Sequence, residues 1–295
     1  MSVPATSANL GPGFDALGLA LELRDVVRAR RAPTGTVTVH VSGEGESTVP
    51  RDENHLVVRA VHAAWDAIGE PRSGLTLWCT NVVPHGRGLG SSAAAAVAGV
   101  LAARALAGAP DDPAAALVVA TALEGHPDNA AAALLGGLTI AWADDPLSTP
   151  RAVRIEPSPE LGATVLVPDI ELSTETARGL LPAAVPHVDA AYTAGRAALL
   201  VEAVSRRPDL LLEATEDRLH QPYRAPAMPA TAELVALLRA RGWAAVVSGA
   251  GPTVLVLSAR DRRPDAESLR GLAGPGWRVL DLALAPVGST VDTVG

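Results

Sequence analysis

The 295-residue chain contains no lysine, so all 24 of its basic residues are arginines. Schiff-base chemistry, pyridoxal phosphate and any lysine-clamped phosphate are excluded together. Cysteine occurs once, as Cys79, which rules out an internal disulfide and a cysteine-based zinc site. Aromatic residues make up only 3%, a scarcity to which we attach no function. No apolar run reaches the length of a membrane span, the longest being Ala93–Ala103. No charged-then-apolar leader precedes the first motif, so cytoplasm is the expected compartment. The formal net charge is −8 with 48% hydrophobic residues. That balance predicts a soluble protein without the basic face that nucleic acid needs, and without a membrane partner.

The length can bury a large core and predicts two domains. Thr36–Val41 alternates as a half-buried strand, and Leu23–Arg31 is a weaker strand candidate. Asn54–Ile68 carries Leu56, Val57, Ala60, Val61, Ala64, Trp65 and Ile68 on one helical face, ended by Gly69 and Pro71. Leu75–Thr80 reads as a strand, followed by helices to about Leu106, over Pro113–Glu124 and following His126 to Leu135, and by the strand Leu138–Trp142. Turn residues from Asp144 to Pro150 mark the best boundary, giving domains 1–146 and 147–295. Beyond it lie strands at Ala163–Val167, Trp243–Val247, Thr253–Leu257 and Trp277–Leu284, with helices at Val188–Val204, Ala232–Arg241 and Asp265–Leu272. The alternation is too irregular for a doubly wound sheet, so an α+β fold in two lobes is expected.

Within this frame stands "PHGRGLGSSAAAAVAG", residues 84–99, a glycine loop directly before an alanine-rich helix. Glycine costs stability unless positive φ or close approach is needed. A helix starting near Ser91 would aim free N–H groups and its positive dipole end into the loop, an arrangement that suits phosphate. The triphosphatase loop would need Gly-Lys-Ser/Thr, and the dinucleotide fingerprint a different glycine spacing. A tight turn before a buried helix is the plain alternative. Two further stretches share the loop's small, hydroxyl-rich character: Pro4–Asp15 and Ser248–Thr253.

Taken in order, "PATSANLGPGFDALGLAL", "GRGLGSSAA", "EGHPDN", "TARGLLP", "HQPYR" and "SGAGPT" resemble the GHMP small-molecule kinases over nearly the whole chain, and most closely their homoserine kinase branch. The resemblance implies a two-lobe fold, with a left-handed βαβ unit in the N-terminal domain and a ferredoxin-like C-terminal domain. It implies ATP wrapped by Pro84, His85, Gly86, Arg87, Gly88, Leu89, Gly90, Ser91, Ser92, Ala93 and Ala94. Mg²⁺ would be held by Ser92 and Glu124, oxygen donors of the kind that ion prefers. By the same resemblance Asn9 and Asp15 bind the amino end of the substrate. Arg178 and Arg224 clamp its carboxylate, a task that suits the guanidinium fork. Thr174 also matches a substrate-side position, and Asn129 should lie against the reacting hydroxyl with His126 beside it. For each of these residues the plain alternative is a structural or solvated role.

Asn129, Glu124 and Arg178 are thus the expected catalytic set. Asparagine is no base and the chain has no lysine, so catalysis should rest on positioning and on stabilisation of the γ-phosphoryl. The hydroxyl proton would go to a phosphate oxygen or water, with Asp128 nearby in sequence as a further candidate. Only three residues precede Pro4, which predicts a short first strand or a start further upstream. The implied reaction is phosphorylation of L-homoserine at its side-chain hydroxyl, on the route to threonine. Rival readings are another GHMP kinase or a ligand sensor without turnover, which would be expected to lose the metal pair. Dimers are common in the family, so a homodimer is the expected assembly.

Overall fold

The computed structural model describes residues 1–145 and 148–293, so the boundary expected between residues 146 and 147 lies outside the described residues. One long strand organises the N-terminal lobe. β1 (Ser2–Asn9) turns back into β2 (Gly13–Ala32), pairing antiparallel from Asn9↔Gly13 to Ser2↔Val26. The turn is possible because Asn9, Leu10 and Gly11 take φ of 67°, 49° and 84°. The register shifts between Pro4 and Ala5, as suits a residue with no N–H to give the ladder. The first strand therefore has eight residues, and the expected strand Leu23–Arg31 is only the distal half of β2. Residues 17–21 of β2 are all buried, so the alternation that betrays a half-exposed strand is missing there.

β3 (Val37–Gly43) runs parallel to β4 (Gly74–Asn81), and α1 (Leu56–Ile68) joins them in a βαβ unit. The His55 side chain caps α1, and Gly69 ends it at φ 70°. Its apolar face packs on α2 (Ser91–Leu106), where a Cβ on Gly99 would come within 2.5 Å of Ala60 Cβ. α3 (Pro113–Glu124) is capped by Asp112 with Pro113 at its first position, and Gly125 ends it at φ 84°. α4 (Asp128–Leu135) starts one residue later than expected, after Pro127. β5 (Leu138–Trp142) and β6 (Arg151–Ile155) complete a sheet of order β3-β4-β2-β5-β6, with β1 paired to β2.

The second sheet begins with β7 (Leu161–Pro168). The chain then passes through α5 (Thr174–Gly179), α6 (His187–Ser205), α7 (Leu211–Ala214), α8 (Gln221–Arg224) and α9 (Pro229–Ala240). β8 (Ala244–Val247), β9 (Val254–Ala259), α10 (Ala266–Ala273) and β10 (Trp277–Leu282) follow. All pairs are antiparallel in the order β10-β7-β9-β8, the ferredoxin-like arrangement expected of this half. The short helices α5, α7 and α8 have too few residues to show a period, so periodicity does not reveal them. The lobes share one core, in which Leu10, Leu17, Leu19 and Leu21 meet Val165, Val246 and Leu255. The C-terminal tail returns to the first lobe, with Ala285 N–H donating to Ala20 O (3.0 Å) and Thr290 N–H to Ser2 O (3.0 Å).

Candidate active site

Three small-residue stretches far apart in sequence meet between the lobes. Thr6 N–H donates to Leu89 O (3.0 Å) and Gly249 N–H to Ala8 O (3.0 Å). The Ser248 hydroxyl joins all three, lying 2.8 Å from Ser7 Oγ and donating to Gly88 O at 2.6 Å. These approaches require glycine. A Cβ on Gly88 would lie 2.2 Å from Ser248 O, and one on Gly90 would lie 1.9 Å from Thr6 Oγ1. Both residues have positive φ, 77° and 69°. Gly90 is the N-cap of α2 and no side chain caps the helix, so its first N–H groups are left for a ligand.

The loop's residues divide by direction. Gly86, Gly88, Gly90 and Ser92 border a cavity of ≈ 310 Å³ between the lobes. His85, Gly86, Ser91, Ser92 and Ala94 border a second of ≈ 300 Å³, which continues past Asp25, Asn54 and His55. Leu89 and Ala93 are buried, and Pro84 borders neither cavity. Arg87 turns away from both, donating to Pro168 O (2.9 Å) and Asp169 O (2.8 Å) at the end of β7. It locks the loop to the second lobe.

At the mouth of α2 the Ser92 hydroxyl donates to Glu124 Oε1 at 2.6 Å. Desolvation pushes the Glu124 carboxyl above its usual range and the serine hydrogen bond pulls it back. Two hard oxygen donors beside an open helix N-terminus fit a magnesium ion whose other ligands are phosphate and water. Among the described residues no group of three or more His, Cys, Asp or Glu could hold a metal by itself.

Across the same cavity Asn129 stands at the start of α4. The Thr6 hydroxyl donates to Asn129 Oδ1 (2.7 Å), and Asn129 Nδ2 donates to Asp128 Oδ1 (3.2 Å), which also accepts Asn129 N–H (2.7 Å). The acceptor-only carboxylate fixes the amide's orientation, because the flipped amide would set oxygen against oxygen. Asp128 is 3% exposed, and burial pushes its pKa up to about 6 despite those hydrogen bonds. His126, also on the cavity, is held below the usual imidazole range by burial and by Arg178.

The far end is built around Phe14, the chain's only phenylalanine. The guanidinium of Arg178 lies 5.7 Å and that of Arg224 5.2 Å from its ring centre, and His220 stacks on the ring at 5.0 Å. Arg224 is 1% exposed and donates only to neutral acceptors: Ala177 O (3.3 Å), Gly249 O (3.4 Å) and His220 Nδ1 (3.2 Å). Burial first, and Arg178 next, lower its pKa. His220 Nε2 meets Gly11 O at 2.7 Å, so Nε2 carries the proton and Nδ1 accepts from Arg224. Arg178 donates twice to Asp15, at 2.6 and 3.1 Å. Asn9 Oδ1 accepts Asp15 N–H (2.9 Å) and Asn9 Nδ2 donates to Gly249 O (2.8 Å), which leaves one amide hydrogen for the cavity. Thr174 borders the cavity at the first turn of α5.

Every residue expected on the substrate side, Asn9, Asp15, His126, Asn129, Thr174, Arg178 and Arg224, borders this one cavity. Sequence reasoning missed Thr6, Phe14, His220 and Ser248, although all four lie inside motifs it had singled out. Buried hydroxyls and a lone aromatic carry no spacing signal.

A pocket joining a backbone-lined anion site to two arginines, one of them buried, across two such lobes, is that of a small-molecule kinase, and the chain belongs to the GHMP kinase family. Residues 55–137 match the GHMP kinases N terminal domain and residues 197–270 the GHMP kinases C terminal model. Homoserine kinases are among its relatives within the family. It is 56% identical over 292 residues to homoserine kinase of Streptomyces coelicolor, covering 98% of this chain and 93% of that one. It is 52% identical to homoserine kinase of Clavibacter michiganensis, covering 99% and 93%. The crystal structure of homoserine kinase from Cytophaga hutchinsonii superposes with a TM-score of 0.84 at 26% identity, covering 97% of this chain and 95% of that one.

Proposed function

We propose that the protein transfers the γ-phosphoryl of ATP to the side-chain hydroxyl of L-homoserine, giving O-phospho-L-homoserine. The observation that carries this reading is Arg224, a guanidinium 1% exposed whose hydrogen bonds all go to neutral groups. A buried charge without a directly bonded counter-ion is costly, and a substrate carboxylate would pair with it. Arg178 completes the clamp, and Asp15 and Asn9 take the amino end. Sugars and mevalonate lack an amino group for Asp15.

The donor phosphates would lie on the backbone of the loop Pro84–Gly90 and on the free N–H groups of Ser91, Ser92 and Ala93, whereas the Ala94 N–H is taken by Gly90 O (2.8 Å). Ser92 and Glu124 would hold Mg²⁺, which when bound offsets the charge of the phosphates. Asn129 works as a donor. With its carbonyl taken by Thr6, its free N–H steadies the acceptor oxygen as the hydroxyl proton leaves. His126, held neutral, shields that end of the cavity from water. Asp128 keeps the amide oriented, and positioning and electrostatics supply the rate enhancement.

The division into a nucleotide lobe before residue 146 and a lobe supplying the carboxylate clamp after it belongs to the same reading. So do a homodimer, a cytoplasmic location and the lack of nucleic-acid and membrane partners. No helix among the described residues is long and apolar enough to cross a membrane. A coupled ADP-release assay over homoserine, mevalonate, shikimate and galactose tests the function. Turnover should appear with homoserine and need magnesium. Equal or better turnover with another alcohol would reject the substrate.

A further inference from the structure

We propose that the Asp15–Arg178 ion pair is the filter that admits zwitterions and turns away acceptors carrying only one charge. The proposal rests on the reading that Asp15 meets the substrate's ammonium and Arg178 its carboxylate. Here those two side chains hold each other, bidentately, at 2.6 and 3.1 Å. The pair is part-exposed, its side chains 33% and 36% accessible, and such pairs contribute little net stability. It is therefore cheap to exchange, provided both partners are re-paired.

An α-amino acid does this at once. Its carboxylate replaces Asp15 on Arg178 and its ammonium replaces Arg178 on Asp15. An acid without the amine would take Arg178 and leave Asp15 unpaired in the cleft. An amine without the acid would strand Arg178, whose buried Nε already has no hydrogen-bond partner and whose guanidinium lies over Phe14. The buried, permanently cationic Arg224 beside it makes that second error worse. The backbone keeps the pair in register. Asp15 sits at φ 54°, held there by its N–H to Asn9, and Arg178 lies in the last turn of a short helix whose Ala177 O is bonded to Arg224.

The test uses three acceptors: L-homoserine, 4-hydroxybutyrate with the acid alone, and 3-aminopropan-1-ol with the amine alone. Asp15→Asn keeps a residue type that tolerates positive φ and frees Arg178. It should lower kcat/KM for homoserine by about tenfold to a hundredfold while raising it for 4-hydroxybutyrate by roughly tenfold, as expected when one charged hydrogen-bond partner is exchanged. Arg178→Gln should do the reverse, favouring 3-aminopropan-1-ol. The same reciprocal gains should appear as affinities in calorimetry, which needs no turnover. A gain for the single-charge ligand in each variant supports the filter. Losses for all three ligands, or unchanged single-charge binding in variants with wild-type melting temperature, would overturn it. Reciprocal binding gains in the two variants, beside a wild type that binds homoserine but does not phosphorylate it, would reject the proposed function and leave the filter standing.

Discussion

The loop at residues 84–90 offers its ligand backbone, whereas the pocket around Phe14 offers side chains. The first half depends on glycines that let strands, loop and turn approach to distances a Cβ would forbid. It needs no lysine because an uncapped helix N-terminus supplies the positive potential. The second half depends on two guanidiniums, one carboxylate and one ring, delivered by β2, α5 and α8 from separate parts of the chain. A backbone site fixes where an anion lies and is indifferent to what the anion is attached to. On the proposed reading the side-chain site counts charges, and substrate choice belongs to it.

The largest expected effect is at the seam between the halves. Glu124→Gln keeps the shape beside Ser92 and removes the charge, so kcat should fall by about 10²-fold or more. Steady-state kinetics across a magnesium titration reads this. Near-normal turnover at ordinary magnesium would break the metal assignment.

Next is Asp128, whose folded-state pKa of about 6 lies above its ordinary 3.8. A raised carboxyl binds its proton more tightly folded than unfolded, so stability falls as pH rises from about 4 to about 6 and is level above that. Asp128→Asn should remove this slope and gain about 3 kcal/mol near pH 8, taking 1.36 kcal/mol per unit over the shift from 3.8 to about 6. Urea unfolding of both proteins at pH 4.5 and pH 8 gives the comparison. A slope unchanged in the variant would show that Asp128 is not the group responsible.

Gly88→Ala sharpens the contrast differently. Its Cβ would meet Ser248 O at 2.2 Å and Gly251 O at 2.9 Å, so the change strains the junction of loop and turn more than the phosphate space itself. A cost of roughly 1–3 kcal/mol in stability is expected for such a strained position. Both ligands should weaken together, because the 248–251 turn also carries Gly249, the acceptor for Asn9 and Arg224. Loss of ATP affinity alone, at unchanged melting temperature, would contradict the shared junction.

The same contrast governs how much the sequence revealed. The glycine loop stood out because Gly86, Gly88 and Gly90 precede an alanine run, but a tight turn would account for them equally, and the resemblance marked them as a phosphate site. α1 and α3 announced their ends through Gly69 and Pro113. The acceptor pocket was different. Nothing in composition or spacing links Asp15 to Arg178, 163 residues apart, and only resemblance brought them into one site. Even then their mutual pairing was unforeseen, since a motif lists ligands one at a time. The proximal half of β2 was hidden for a related reason: a strand buried on both faces has no alternation to read.

The separation of the two halves is tested most directly by calorimetry on Arg224→Gln, titrated with homoserine and with ATP separately. Homoserine affinity should fall by about tenfold to a hundredfold, the loss expected of a charged hydrogen bond, while ATP affinity stays within about twofold. An equal loss for both ligands, or an undiminished affinity for homoserine, would contradict a pocket whose side chains alone choose the acceptor.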